Sequence, residues 1–162
     1  MPVAALSLGG NQRDVKDAFR HALRRLAATR GVMVRAQSTL WRTPPWGKTD
    51  QPDFLNMATL VETILSPREL LDLCQTIERE RGRSRSVRWG PRTLDIDIVA
   101  FGDEVIGEAD LVVPHPRATE RAFVLAPLAE IAGELPINGR RVDEWLARVD
   151  LAGARSIGPL DA

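Results

Sequence analysis

Six arginines fall within the fourteen residues from Arg79 to Arg92, and two aspartates, Asp95 and Asp97, follow almost at once. Arginine guanidinium groups bind phosphate oxygens through paired N–H donors. Two carboxylates on alternate residues of a strand can bind a hard divalent cation, which prefers oxygen ligands. The combination therefore indicates a site for a polyphosphate that carries a metal ion.

The segment from Leu94 to Phe101 alternates like a strand, so Asp95 and Asp97 should share one face with Val99 and Phe101. Carboxylates about 7 Å apart repel each other by about 2 kcal/mol at an effective dielectric constant of about 20, and a bound cation would reverse that cost. The alternative is a solvated strand face that happens to carry two acids. Because aspartate disfavours strands, we favour the metal site. We expect magnesium rather than zinc, since no thiolate or histidine cluster lies nearby in the sequence.

The arginine segment can also be interpreted as a solvated loop whose charges balance neighbouring acids. Trp89, however, is followed by Gly90-Pro91, and a large apolar side chain in a loop is typical of a segment that closes over a ligand. We therefore expect this loop to fold over a nucleotide and to exclude water.

Phe54 and Asn56 should share one face of a strand predicted from Phe54 to Thr63. A ring beside an amide can stack a flat heterocycle and pair with its edge. Core packing is the alternative for Phe54, whereas a buried amide needs partners, which favours Asn56 as a ligand contact. Phe123 could supply a second ring, although its spacing alone favours a core position.

Helices and strands alternate along the chain and must position these side chains. The predicted elements are a strand from Val3 to Leu8 closed by a Gly9-Gly10-Asn11 turn, a helix from about Val15 to Gly31, a strand from Val32 to Arg42, the Phe54–Thr63 strand, a helix opened by a capping box at Ser66 and running to about Glu80, the Leu94–Phe101 strand, and two C-terminal helical stretches. This order predicts an α+β sandwich with helices on a mostly antiparallel sheet. The glycine turn is too weak a motif to indicate phosphate binding.

Composition limits the classes of function. With 162 residues and 44% hydrophobic residues, we expect one globular domain spanning residues 1–162. Basic and acidic residues balance at 22 each, so no overall field would draw nucleic acid or a membrane surface. Cys74 fits the apolar face of a helix and is interpreted as a core residue. No leader or membrane-spanning pattern is evident, so we expect a cytoplasmic protein.

Six segments carry a resemblance to a known family. They are RTPPWG, DQPDFLN, RWGPRTLDIDI, FGDEVI, VPHP and Arg121-Ala122-Phe123. In order and spacing they resemble the 6-hydroxymethyl-7,8-dihydropterin pyrophosphokinases of folate biosynthesis, and the RWGPRTLDIDI segment is the most specific. The resemblance extends from the first strand to about Pro136.

The resemblance implies a ferredoxin-like αβα sandwich that transfers the β,γ-diphosphate of ATP to the hydroxymethyl oxygen of the dihydropterin and releases AMP. Asp95 and Asp97 would hold two magnesium ions, and Arg83 and Arg92 would join them as catalytic residues. ATP and the pterin would be the only partners, and the protein would act as a monomer.

Further site residues are implied by the same resemblance. The pterin would contact Thr43, Pro44, Trp46, Phe54, Asn56, Asp95 and Phe123, with the two phenylalanines stacking its faces. The nucleotide would contact Gln75, Glu78, Arg83, Arg85, Trp89, Arg92, Ile98, His115 and Arg121. A lone histidine such as His115 is otherwise more often structural.

Two other functions remain open at this point. Paired aspartates and arginines also serve nucleotidyl transferases, which release pyrophosphate instead of AMP. An α+β sheet with basic residues could bind RNA, but such modules present aromatic residues on the open sheet, where this chain places Asp95 and Asp97.

Phosphoryl-type transfer needs alignment and charge neutralisation more than a protein nucleophile, so we expect direct in-line attack.

Overall fold

The structure is a computed structural model that describes residues 1–44, 52–82 and 94–161. Its strands are β1 (Val3–Gly10), β2 (Val32–Gln37), β3 (Leu40–Thr43), β4 (Phe54–Thr63), β5 (Asp95–Phe101), β6 (Ile106–Glu108), β7 (Leu111–Val113), β8 (Pro136–Ile137), β9 (Arg140–Arg141) and β10 (Arg155–Gly158). Its helices are α1 (Val15–Ala28), α2 (Pro67–Glu80), α3 (Ala122–Ala132) and α4 (Val142–Leu146), with a short 3₁₀ turn at Ala118–Glu120.

One antiparallel sheet forms the centre of the molecule. Its strands follow the order β10-β3-β4-β1-β5, and β2 also pairs with β4. Helices α1 and α2 cover one face through a cluster of large buried side chains that includes Leu6, Phe19 and Ile77. Helix α3 covers part of the other face through a cluster that includes Leu125 and Leu128. The predicted α+β sandwich is confirmed.

The signals at the ends of α2 are realised as predicted. The Ser66 hydroxyl accepts from the Glu69 N–H, and the Glu69 carboxylate accepts from the Ser66 N–H at 2.9 Å, so the capping box is complete. Pro67 opens the helix, and Gly82 follows its end with φ of +70°. The helix therefore ends at Glu80, next to the arginine segment.

Two strand predictions were wrong in their boundaries. Gly9 and Gly10 do not form a turn but continue β1, where they pair with Asn56 and Leu55 of β4. The strand predicted from Val32 to Arg42 is split at Ser38, whose side-chain Oγ accepts from the Ala58 N–H at 2.9 Å. Both halves still pair with β4, so hydrogen bonding to one shared neighbour keeps them in the same sheet.

The prediction that Phe101 shares a face with the aspartates was also wrong. The pairing of β1 with β5 shifts register between Ala5 and Leu6, which pair with Ala100 and Ile98, so Val99 is the extra residue of a bulge in β5. As a result Phe101 packs into the α1/α2 cluster, while Val99 stays with the α3 cluster. Alternation in the sequence cannot show an inserted residue, because a bulge is defined by the partner strand.

The C-terminal segment contributes a strand that the sequence patterns did not predict. Strand β10 pairs antiparallel with β3, and Leu160 beyond it is buried in the α1/α2 cluster. Asp161 accepts a hydrogen bond from Arg20 Nε of α1 at 2.8 Å. This segment is therefore bound to both the sheet and a helix. None of the described helices has the length and apolarity that a bilayer crossing requires.

Cys74 is buried in the α1/α2 cluster, which confirms its prediction as a core residue. Burial, together with the nearby charges of Glu78 and Asp97, raises the pKa of its thiol to about 12. We expect the folded protein to resist alkylation by iodoacetamide at pH 8, because the thiolate is the reactive form. The same protein in denaturant should react within minutes, as mass spectrometry would show. Equal labelling of folded and unfolded protein would contradict this placement.

Candidate active site

A row of facing residues crosses four strands on the sheet face partly covered by α3. Asn56 of β4 lies opposite Trp41 of β3 and opposite Gly9 of β1, and Gly9 lies opposite Asp95 of β5. Directly opposed residues in a sheet point to the same face. Asn56, Gly9 and Asp95 are therefore side by side, although 39 residues separate Asn56 from Asp95 in the sequence.

The two aspartates lie near the start of β5, an edge strand of the sheet. Asp95 is half-buried and Asp97 is exposed, whereas Ile96 and Ile98 point into the opposite core. Two residues along a strand place the aspartates about 7 Å apart on one face. The side chain of Ile98 therefore points away from the aspartates. Only the backbone of Ile98 could contact a nucleotide on the aspartate face.

Glu78 ties α2 to the strand that carries the aspartates. Its side chain is buried at 4% exposure, and its Oε2 accepts a hydrogen bond from the backbone N–H of Ile96 at 2.8 Å. That amide lies between Asp95 and Asp97 in the chain. Gln75, three residues earlier on the same side of α2, is half-buried. The end of α2 therefore adjoins the outer edge of β5.

His115 approaches the same strand from the loop after β7. Its backbone N–H donates to the Val99 carbonyl at 2.9 Å, and its ring Nδ1 accepts from the Arg117 N–H at 3.3 Å. Burial is the largest cause that lowers the pKa of His115, and Arg121 and Arg117 lower it further, whereas Asp97 raises it. The neutral ring therefore carries its hydrogen on Nε2 and can donate it to an anion.

This arrangement predicts how His115 titrates. In metal-free protein, its ring signals should show a midpoint below the ordinary 6.5 in an NMR titration. The unfolded chain then binds the proton at higher pH than the folded one, so His115 lowers stability as pH falls through the unfolded value. In Asp97→Asn the midpoint should fall further, because a charge that raises the pKa is removed. A midpoint that is unchanged or higher in this variant would contradict the placement of Asp97 beside His115.

Four of the residues expected to contact the pterin lie at the end of β3 and the start of β4: Thr43, Pro44, Phe54 and Asn56. Asn56 is buried, and its Nδ2 lies 3.5 Å from the Thr43 Oγ1 as a donor. Thr43 is also buried and lies opposite Phe54, which is half-buried. Pro44 follows and is exposed. A ring and an amide thus occupy one face, which is the arrangement expected from the sequence.

Arg121 and Phe123 lie at the start of α3. Both are half-buried, and the Arg121 guanidinium carbon is 5.6 Å from the centre of the Phe123 ring. Stacking of this kind restrains both side chains. Phe123 packs at the margin of the α3 cluster and is only partly enclosed by it. A ring in that position keeps surface available for a second flat group.

Several expected site residues lie outside the described residues. They are Trp46, Arg83, Arg85, Trp89 and Arg92. Their assignments, and the loop that was expected to close over a nucleotide, stay predictions. Within residues 1–44, 52–82 and 94–161, no group of three or more histidine, cysteine, aspartate or glutamate side chains could hold a metal ion.

Sequence reasoning missed three residues that shape this face. Gly9 was interpreted as part of a turn, and only its pairing with Asn56 and Asp95 reveals its position. Asn11 is buried, with its Nδ2 3.4 Å from the Pro52 carbonyl, and so connects the end of β1 to the start of β4. Glu130 of α3 accepts from the Trp41 Nε1 at 3.0 Å. The Gly-Gly-Asn motif was the available signal for the first two, while nothing in the sequence indicated the third.

The sequence model of the 7,8-dihydro-6-hydroxymethylpterin-pyrophosphokinase family matches residues 5–133, which is most of the chain. The chain belongs to this family. A 2-amino-4-hydroxy-6-hydroxymethyldihydropteridine pyrophosphokinase of Methylorubrum extorquens is 47% identical over 157 residues, which cover 97% of this chain and 99% of the relative. The enzyme of the same name from Bacillus subtilis is 49% identical over 133 residues, covering 82% of this chain and 80% of the relative.

Solved structures share the architecture of this chain. A Plasmodium falciparum HPPK-DHPS chain, wild type with SDX-DHP, matches with a TM-score of 0.71 at 17% identity, covering 91% of this chain and 43% of that chain. A second wild-type structure of that protein gives a TM-score of 0.70 at 16% identity and covers 41% of its chain. This chain thus spans less than half of those chains. At such identities the likeness shows the fold alone, and it confirms the predicted ferredoxin-like α+β sandwich.

Proposed function

We propose that this chain transfers the β,γ-diphosphate of ATP to the hydroxymethyl oxygen of 6-hydroxymethyl-7,8-dihydropterin and releases AMP, as a step of folate biosynthesis. Membership of the pyrophosphokinase family supports the reaction. The observation that carries it in the structure is the row in which Asn56, Gly9 and Asp95 lie side by side. In this row, the amide of Asn56 can pair with the edge of the heterocycle. The neighbouring carboxylate of Asp95 can act at the reacting end of the pterin.

On the pterin side, we propose that Phe54 and Phe123 stack the two faces of the ring. Asn56 then pairs with the ring edge, helped by the backbone of Thr43, Pro44 and Trp46. The contact between the Asn56 amide and the Thr43 hydroxyl fixes the orientation of this amide before a ligand binds. Burial of Asn56 at 5% exposure strengthens any hydrogen bond it makes, since competing water is excluded.

Asp95 and Asp97 are proposed as the ligands of two magnesium ions. The donor set fits this metal, since magnesium is usually bound by one or two carboxylates together with substrate phosphates and keeps several waters. The exposure of Asp97 leaves room for such waters and phosphates. When bound, magnesium would neutralise charge on the phosphate oxygens and favour in-line displacement. The two aspartates repel each other in its absence, so they bind cations more tightly as a pair.

Nucleotide contacts are proposed for Gln75, Arg121 and His115, with Arg83, Arg85, Trp89 and Arg92 contributed by the arginine segment and Ile98 by its backbone. His115 donates from Nε2 and Arg121 from its guanidinium, and both are suited to phosphate oxygens. For Glu78 we propose a positioning role in addition to a place on the nucleotide side, because one of its oxygens holds the Ile96 N–H. Arg83 and Arg92 then hold the migrating diphosphate.

The reaction is tested by incubating the protein with ATP, magnesium chloride and the hydroxymethyl dihydropterin, followed by nucleotide chromatography. The expected products are AMP and the pterin diphosphate in equal amounts. Release of pyrophosphate would indicate nucleotidyl transfer instead, and ADP would indicate transfer of a single phosphoryl group. A reaction without the pterin measures ATP hydrolysis and is the control.

We further propose that residues 1–162 act as one domain, as a monomer, in the cytoplasm. The sheet with helices on both faces is consistent with one folding unit. Sedimentation equilibrium checks the monomer, and a mass of twice the chain's 17.9 kDa would contradict it.

A further inference from the structure

We propose that Gly9 is a positioning residue for the pterin pocket and acts by leaving space for the amide of Asn56. This inference rests on the proposed function and assigns Gly9 a steric role beyond its place in the row with Asn56 and Asp95. Gly9 makes no side-chain contact of its own, so its effect must pass through a neighbour.

The space above Gly9 is occupied by Asn56. A Cβ atom added to Gly9 would lie 2.7 Å from Asn56 Oδ1 and 3.8 Å from its Cγ. Real Cβ atoms essentially never approach an oxygen so closely. The amide oxygen of Asn56 therefore occupies the volume above Gly9 that the Cβ atom of any other residue would fill. Gly9 has no left-handed φ, so the backbone itself would accept alanine, and steric contact is the reason for glycine here.

Asn56 has little freedom to yield. It is buried at 5% exposure, and the other end of its amide reaches the Thr43 hydroxyl at 3.5 Å. A methyl group at position 9 would push the amide away from β1 and change the direction of its donors and acceptor. The pairing of β1 with both β4 and β5 holds Gly9 in place, so the amide is the group that moves. This displacement disturbs the contact of Asn56 with the edge of a planar ligand and leaves Asp95 in position.

The test is Gly9→Ala, compared with wild type for binding of the hydroxymethyl pterin and of ATP. One methylene group too many or too few between a substrate and its pocket changes kcat/KM by roughly 10- to 200-fold, and a displaced amide should disturb the fit by a similar amount. We expect the KM and the Kd for the pterin to rise by roughly this factor, with the Kd for ATP and the melting temperature little changed. The matched control is Gly107→Ala on β6, where a Cβ would meet nothing within 4 Å. Loss of pterin and ATP binding by the same factor would overturn the proposal.

A double-mutant cycle with Asn56→Ala isolates the route of the effect. Once Asn56 is truncated, the contact is absent, so adding Gly9→Ala should weaken pterin binding by less than about threefold. An equal penalty in both backgrounds would overturn the proposal, since Gly9 would then not act through Asn56. If Gly9→Ala alone fails to fold, the double variant should fold, and its failure would also count against the proposal. If wild type releases no AMP with the pterin, the proposed function fails, whereas pterin binding by fluorescence still tests Gly9.

Discussion

Replacing Asp97 with asparagine is expected to lower turnover by roughly 10³-fold or more at any magnesium concentration, while the fold is retained. An arginine that stabilises charge in the transition state of phosphoryl transfer contributes roughly 10³- to 10⁵-fold to turnover in other enzymes, and a metal ligand acts on the same charge. Asparagine has nearly the same shape but no charge, so the cation would lose one ligand of the pair. Steady-state rates of AMP release over a magnesium titration provide the measurement.

The stability of this variant should be unchanged or slightly higher. Asp97 is exposed, and its repulsion with Asp95 is relieved when one charge is removed. Asp103→Asn, in the exposed turn after β5, is a matched control that should keep wild-type turnover. Near wild-type activity in Asp97→Asn would exclude the proposed metal site. If high magnesium concentrations fully restore turnover, Asp97 contributes only to the affinity for magnesium.

Replacing Glu78 with alanine is expected to lower both stability and turnover. The Ile96 N–H would lose its acceptor in a buried position, and an unpaired buried donor costs about 1–3 kcal/mol. The lost bond also releases the edge of β5 between the two aspartates. We therefore expect the melting temperature to fall by several degrees, and kcat to fall more than the KM for ATP rises.

Glu78→Gln separates the hydrogen bond from the charge. Its amide oxygen can still accept from Ile96, so most of the stability should return. Glu80→Ala, at the exposed end of the same helix where the side chain pairs with Arg25, is the control and should have a smaller effect. If Glu78→Ala melts like wild type, the buried hydrogen bond does not hold the strand. If it loses stability but keeps kcat, Glu78 supports the fold without positioning the aspartates.

Prediction succeeded where the signal was local. The capping box at Ser66, the glycine after α2 and the alternation of β4 each depend on residues within one or two turns, or on side chains two apart. For the same reason the pairing of Asp95 and Asp97 on one face was predictable, since both belong to one strand. The burial of Cys74 followed from the apolar stripe of its helix.

Prediction failed where a partner strand made the decision. The glycines at the end of β1 resemble a turn until the neighbouring strands pair with them, and the bulge at Val99 exists only relative to β1. Strand β10 is short and has no repeated apolar pattern, so its pairing with β3 could not be inferred. Such contacts join residues far apart in the chain, and no short-range pattern records them.

The sequence by itself determined the chemical types at the site and the family, because arginines, aspartates and a stacking ring occur in recognisable local segments. Only the tertiary structure decided that Asn56, Gly9 and Asp95 are neighbours, that Glu78 supports the strand between the aspartates, and that Ile98 points away from them. The physical reason is that residue type and spacing set what a side chain can bind, whereas strand register sets which side chains meet.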